Sequence, residues 1–391
     1  GNLFQVGSFD SSWGDDDWGI LELNAAGNFV NWQWFVFDLG GANTDLATGV
    51  RLDGAGGLLI AGQARTATGA EVRLCRLKTS DLTLDLTFGS GGCAAYSYLA
   101  PSLWAAGLAR AGDGGWLVAG QLDWGGGDSD FFVVKFTSAG LLDGNFNWLD
   151  FFHPGMAIVP VDLVAGGYDV ARAMAVDHLG RVLVAGDAQA PTVSNAAAVV
   201  RLTASGDLDS SFGVSGKQTW TYFDGLVDHP AWAFSVAVDP VLDTFLVGYS
   251  HLTPDPNEVA AAVGHFNAGG NWQNFPGGGS PIREVTWLPG SGNWLARVLV
   301  QCDGRILAVG DSSWGGTYKA TRLLPNGTVD ASYGTSGTAS FSLLGLGSGH
   351  GVASATLSAG RLVLAGTVSN PNEDWLAVRL TSDLIFCDGF E

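Results

Sequence analysis

Residues 201–216 read RLTASGDLDSSFGVSG, and residues 322–337 read RLLPNGTVDASYGTSG. The two agree at Arg201/Arg322, Leu202/Leu323, Gly206/Gly327, Asp209/Asp330, Ser211/Ser332, Gly213/Gly334, Ser215/Ser336 and Gly216/Gly337. A chain that writes one phrase twice, 121 residues apart, is a repeat protein, and the period of the repeat decides the fold.

A second marker fixes that period. A short apolar run ends in Gly seven times: NLFQVG (2–7), LLIAG (58–62), WLVAG (116–120), VLVAG (182–186), TFLVG (244–248), ILAVG (306–310) and LVLAG (362–366). From Gly7 to Gly366 is 359 residues in six steps, about 60 each. In the fourth unit, VARAMAVDHLG (170–180), RVLVAGDA (181–188), AAAVVRL (196–202) and KQTWTYF (217–223) read as four strands separated by Gly, Ser and Asp turns. No segment sustains apolar residues at helical spacing. Four antiparallel strands repeated seven times predict an all-β, seven-bladed β-propeller of four-stranded blades in a single domain over 1–391. The blades fall at about 1–45, 46–103, 104–168, 169–228, 229–290, 291–346 and 347–391. One such sheet cannot bury both faces, whereas neighbours in a ring cover them.

The phrase, with RLKTSDLTLDLTFGSGG (76–92) and KFTSAGLLDGNF (135–146), resembles the delta-60 repeat of secreted bacterial proteins. The resemblance implies a propeller-like exported protein and carries over no catalytic residue. The loop glycines, with Asp85, Asp143, Asp209 and Asp330, read as turn formers. Phe88, Phe146, Phe212 and Tyr333 read as plugs between blades, and Trp18, Phe131 and Trp375 as inter-blade packing. SGDLDSSF (205–212) resembles a sialidase Asp box but carries Asp209 where that motif needs Gly.

Eighteen basic residues face 38 acidic ones, a net charge of −20. A field of that sign repels phosphate backbones and anionic lipid, so nucleic acid is not an expected partner. No apolar run reaches the ~18–20 residues of a membrane helix. The first residue is Gly1, which fits a processed, secreted form. Four cysteines allow three pairings. Cys75 and Cys93 lie on neighbouring strands and form the favoured pair, leaving Cys302 with Cys387; the alternative is free, buried thiols.

Unit 1 lacks the strand that precedes the marker elsewhere. The tail LIFCDGFE (384–391) echoes LVQCDGRIL (299–307) and resembles short endings of exported Gram-negative proteins. Only Thr381–Asp383 separate the tail from the preceding strand, a reach of about 10 Å. Either it is the fourth strand of its own blade, or it completes the first blade of another copy and builds a filament.

No HExxH, GxSxG, P-loop or Cys-x-x-Cys-His is present, so the expectation is a non-catalytic protein without a cofactor. Three hairpin loops collect Trp and Asp: FDSSWGDDDWG (9–19), LDWGGGDSDFF (122–132) and DSSWGGTY (311–318). Trp13, Trp124 and Trp314, with Asp10, Asp15, Asp16, Asp123, Asp128 and Asp311, form the candidate binding face for an extracellular glycan. Calcium is the alternative ligand, since hard cations take carboxylate oxygens, although no EF-hand spacing occurs. The leading function is an exported structural or adhesive protein, self-assembling through its tail. The alternatives are a carbohydrate-binding propeller and a propeller glycosidase or lyase.

Overall fold

A computed structural model describes the chain apart from residues 1, 12–14, 36–44, 67–68, 99–101, 151, 240–242, 256–257, 286, 288–291, 302, 313–316, 343–347, 359–360, 371 and 380–391. Every regular element among the described residues is a strand. The first sheet runs β1 (Leu3–Ser11), β2 (Asp15–Leu23) and β3 (Phe29–Phe35). The second has β4 (Leu46–Leu52), β5 (Gly57–Thr66), β6 (Gly69–Lys78) and β7 (Cys93–Tyr98). The third has β8 (Ser102–Arg110), β9 (Trp116–Gly125), β10 (Asp128–Phe136) and β11 (Met156–Val159). The fourth has β12 (Asp169–Val176), β13 (Val182–Gln189), β14 (Asn195–Leu202) and β15 (Lys217–Trp220). A hairpin of β16 (Tyr222–Phe223) and β17 (Asp228–His229) follows. The fifth sheet has β18 (Ala231–Val238), β19 (Phe245–Leu252), β20 (Val259–Phe266) and β21 (Ile282–Val285). The sixth has β22 (Asn293–Val300), β23 (Ile306–Ser312), β24 (Thr317–Leu323) and β25 (Thr338–Ser342). The last has β26 (Ser348–Ser358), β27 (Arg361–Asn370) and β28 (Asn372–Arg379). The tail 384–391 lies outside the described residues. The chain divides into two compact units, Gly1–Val184 with Val200–Asp209, and Ala185–Val199 with Ser210–Glu391.

The marker glycines lie inside strands rather than in turns. The preceding strand carries a β-bulge or register shift opposite each of five of them, between Ala47/Gly49, Ala105/Gly107, Ala233/Ser235, Leu295/Arg297 and Val352/Ser354. The bulge drives a carbonyl into the space a side chain would need: a Cβ at Gly62, Gly120 or Gly310 would overlap the carbonyl of Leu46, Trp104 or Trp294.

The repeated phrase holds two further devices. The basic residue of the third strand reaches the Asp that follows it. Arg201 Nε donates to Asp209 Oδ2 at 2.8 Å, and Arg322 Nε to Asp330 Oδ2 at 2.8 Å. Lys135 bridges Asp113 and Asp143, and Arg76 bridges Asp53 and Asp85. The other oxygen of Asp330 accepts from Ser332 N and Oγ, and these bonds hold its carboxyl below the usual range. The expectation that these Asp side chains form turns holds, and the same carboxylates neutralise an otherwise buried cation.

The second device links neighbouring sheets. The turn glycine of the phrase lies in the left-handed region, at φ +79°, +93°, +80° and +77° for Gly140, Gly206, Gly270 and Gly327. An aromatic ring from the preceding sheet lies against each: Phe88, Phe146, Phe212 and Phe275, all no more than 2% exposed. The residue after the first three rings donates its N–H to that turn: Gly89 to Ala139 O (2.8 Å), Asn147 to Ser205 O (2.6 Å) and Gly213 to Gly269 O (2.8 Å). Phe88, Phe146 and Phe212 are therefore plugs as expected, Phe275 is one that sequence reading missed, and Tyr333 is buried with Arg322 over its ring; the phrase recurs because a sheet that carries it gives a ring forward to a glycine seat.

Cys75 and Cys93 face each other across β6 and β7 and form a disulfide. Cys302 and Cys387 lie outside the described residues. One expected strand is corrected: KQTWTYF splits after Trp220, because Asp224 Oδ1 accepts from Leu226 N and Val227 N and turns the chain into the β16–β17 hairpin.

Candidate functional site

The β9–β10 hairpin brings three of the expected site residues together. Gly125, Gly126 and Gly127 all take positive φ (+83°, +73° and +95°), a tight path that only glycine follows without strain. Asp123 Oδ1 caps it by accepting from Gly125 N at 2.7 Å. Trp124 Nε1 donates to Asp130 Oδ2 at 2.8 Å, which fixes the ring while leaving Trp124 37% exposed. Asp128 sits at the far side of the same turn.

The connection from β11 to β12 closes against this hairpin. Ser129 N donates to Gly167 O at 3.4 Å, and Ser129 Oγ bonds both the N–H and the carbonyl of Asp169. Asp169 Oδ2 accepts from Val161 N (2.6 Å) and Asp162 N (3.4 Å), with Asp162 at φ +50°. Burial pushes the Asp169 carboxyl up to about 7; the two N–H bonds oppose this, and the charges of Asp130 and Asp162 add to it. At 1% exposure Asp169 touches no solvent, so it organises the loop and presents no acid to a substrate. The surface it supports offers one flat indole and the carboxylates of Asp123, Asp128 and Asp130, chemistry that stacks on a ring and accepts hydrogen bonds.

The other expected residues have different settings. Asp10 pairs with Asp16, and Ser11 with Asp15, along the β1–β2 ladder. The Asp16 carbonyl accepts from Asp45 N at 2.8 Å. Trp13 and Trp314 lie outside the described residues. Asp311 is a correction: it is 9% exposed, in strand β23 between Trp294 and Tyr318, and burial pushes its carboxyl up to about 6. Trp18 and Phe131 are buried packing residues, as expected, and the side chain of Trp375 lies outside the described residues. Among the described residues no group of three or more His, Cys, Asp or Glu is arranged to hold a metal ion.

Sequence reading missed Asp130, Asp162 and Asp169. Asp130 stands in the quoted loop, six residues from Trp124, but nothing local marks its partner. Asp169 meets Ser129 across 40 residues, a distance no motif spans. A second missed group lies in the other unit. Tyr222 stacks on His251 at 3.8 Å, and His251 Nε2 stands 3.6 Å from Glu284 Oε1. His251 is 0% exposed beneath the hairpin residue Tyr222.

Residues 180–212 and 301–333 match a family described as a β-propeller domain of unknown function, DUF5122. These are the stretches that carry the repeated phrase in the fourth and sixth sheets. The fold is a β-propeller. No curated protein matches the chain. Solved structures with a similar fold include Sqt1 of Chaetomium thermophilum, at 12% identity and TM-score 0.46, covering 92% of this chain and 88% of that one. A catalytically inactive virginiamycin B lyase of Staphylococcus aureus, solved with quinupristin, gives 11% identity and TM-score 0.46, covering 94% and 96%. Drosophila Semaphorin 2a gives 9% identity and TM-score 0.49, covering 98% and 74%. Among the described residues no helix is long and apolar enough to cross a membrane.

Proposed function

We propose that the protein is an exported, non-catalytic, adhesive propeller that holds an extracellular glycan on the Trp124 loop. The observation that carries this reading is the half-exposed Trp124 ring, locked by Asp130 and flanked by Asp123 and Asp128. A sugar ring offers C–H groups to an indole face and hydroxyls to carboxylates, and a fixed ring costs little entropy on binding. The net charge of −20 favours neutral or amine-bearing sugars over sulfated or uronic ones. The Cys75–Cys93 disulfide supports an oxidising compartment. The sealed position of Asp169 favours binding over catalysis, because a glycosidase or lyase presents its raised carboxyl to the substrate.

Tryptophan fluorescence titrated with neutral and amino polysaccharides tests the reading. Trp124→Ala is expected to weaken binding at least about tenfold. Trp148→Ala, 57% exposed on a different loop, leaves binding unchanged. Silence across such polysaccharides removes the proposal. Turnover of a glycan that Asp130→Asn abolishes replaces it with an enzyme.

A further inference from the structure

Strand β3 is distinguished by the exposed aromatic side chains it carries. It is seven residues long, against six in β7, four in β11, β15 and β21 and five in β25, while β28, which ends the last sheet among the described residues, has eight. β15 carries Lys217, and β21 carries Arg283 and Glu284, charges of the kind that blunt an outer strand; β7, β11 and β25 are uncharged like β3, and what sets β3 apart is its exposed aromatic residues. Residues 23–37 carry no charge at all. Phe29 (62%), Val30 (45%), Trp32 (43%) and Trp34 (51%) are exposed on β3, and the rings of Trp32 and Trp34 stand 4.7 Å apart. β3 ends its sheet in the order β1-β2-β3 among the described residues.

The sequence of β3, FVNWQWF, reads almost alike in both directions. Laid antiparallel on itself about Trp32, it sets Phe29 on Phe35, Val30 on Trp34, Asn31 on Gln33 and Trp32 on Trp32. Every cross-strand pair then matches in kind, apolar on apolar and amide on amide. We propose that β3 is a homodimer interface, pairing with β3 of a second copy about a two-fold axis at Trp32. A chain of charge −20 repels its own copy over most of its surface, and β3 itself brings no charge to the axis, although the exposed Asp81, whose carbonyl accepts from Asn31 Nδ2 at 3.3 Å, lies beside it. In the single chain Trp32 N–H is held by Asn31 Oδ1 at 2.9 Å, a bond that pairing exchanges for one across the axis.

Sedimentation velocity on the whole chain tests this, since the residue on the axis faces itself. The natural chain is expected to sediment as a dimer of about 81 kDa, twice 40.6 kDa, at roughly 100 μM. Trp32→Lys and Trp32→Glu each set two like charges together and weaken the dimer at least about 100-fold. Mixing the two variants sets Lys against Glu and restores a heterodimer, which also shows that both are folded. A natural chain that stays monomeric overturns the proposal, even if a polysaccharide binds β3 instead. A dimer indifferent to Trp32→Lys, or variants that stay apart on mixing, overturns it equally.

Discussion

Replacing Gly206 by Ala tests the seat that joins the third and fourth sheets. Two costs are expected. The first is backbone: at φ +93° an L side chain is strained by about 1–2 kcal/mol. The second is contact. A Cβ at Gly206 would lie 2.7 Å from Asn147 N and 3.0 Å from the Phe146 ring, so ring or strand must move, at about 1–3 kcal/mol. The sum is about 2–5 kcal/mol. Gly27→Ala is the control, because Gly27 has φ +83° and nothing within 4 Å of its Cβ position. It isolates the backbone cost. Calorimetric melting of both variants reads the difference, at about 1–3 °C per kcal/mol for a chain of this length. The contact cost should shrink in a Phe146→Leu background, where the smaller side chain leaves room. Equal shifts for Gly206→Ala and Gly27→Ala, or no coupling to Phe146, would show that the ring does not occupy the seat.

Two other predictions concern buried ionisable groups. In the fifth sheet His265 stands where the second, third, fourth and sixth sheets place Arg or Lys, and Gln273 stands where they place Asp, with Gln273 N on the His265 carbonyl at 3.0 Å. His265→Arg should destabilise by about 1–3 kcal/mol, because Asp239 is near but position 273 offers no carboxylate, and adding Gln273→Asp should recover most of it in urea unfolding. Burial also holds the His265 imidazole below its ordinary range, so its contribution is present above the unfolded value and is lost as pH falls through the folded one. Asp169 has the opposite sign. Its carboxyl is raised to about 7, so its stabilising contribution is complete below the ordinary carboxylate range and is lost as pH rises through about 7. Asp169→Asn, still able to accept from Val161 and Asp162, should melt higher than the natural chain at pH ~8, with the gap closing toward pH ~4. A gap independent of pH would refute the assignment.

The sequence makes the strands, the period and the turns legible because each rests on neighbours in the chain. Arg201 and Asp209 are eight residues apart, and Gly206 needs only its own dihedral to announce a turn. The ring that fills the Gly206 seat is Phe146, one period upstream, so its partner can be found only by aligning repeats. Asp311 misleads for a physical reason. Its surroundings, DSSWGG, have the composition of an exposed loop, yet the strand runs on through Ser312 and takes the carboxylate into the sheet. Asp169 gives no local signal, since its partners lie on β10 and in the chain before β12.

Departures from the repeat are more informative than the repeat itself. A sheet whose phrase is intact is accounted for by its three structural duties: the bulge facing a glycine, the neutralised cation, and the ring with its seat. These duties are met by the same residue types each time, so they constrain the chain without distinguishing one propeller from another. Where a sheet breaks the pattern, the break needs its own cause. The loss of charge at His265 is balanced by the loss of charge at Gln273, so that break is closed by packing chemistry alone. The uncharged β3 and the Trp124 turn depart from the repeat in a different way. Both expose aromatic surface that the folded chain leaves partly in water, at 43% and 51% for Trp32 and Trp34 and 37% for Trp124. Exposed aromatic surface of this kind is what the proposed dimer contact on β3 and the proposed glycan contact on the β9–β10 turn would each cover.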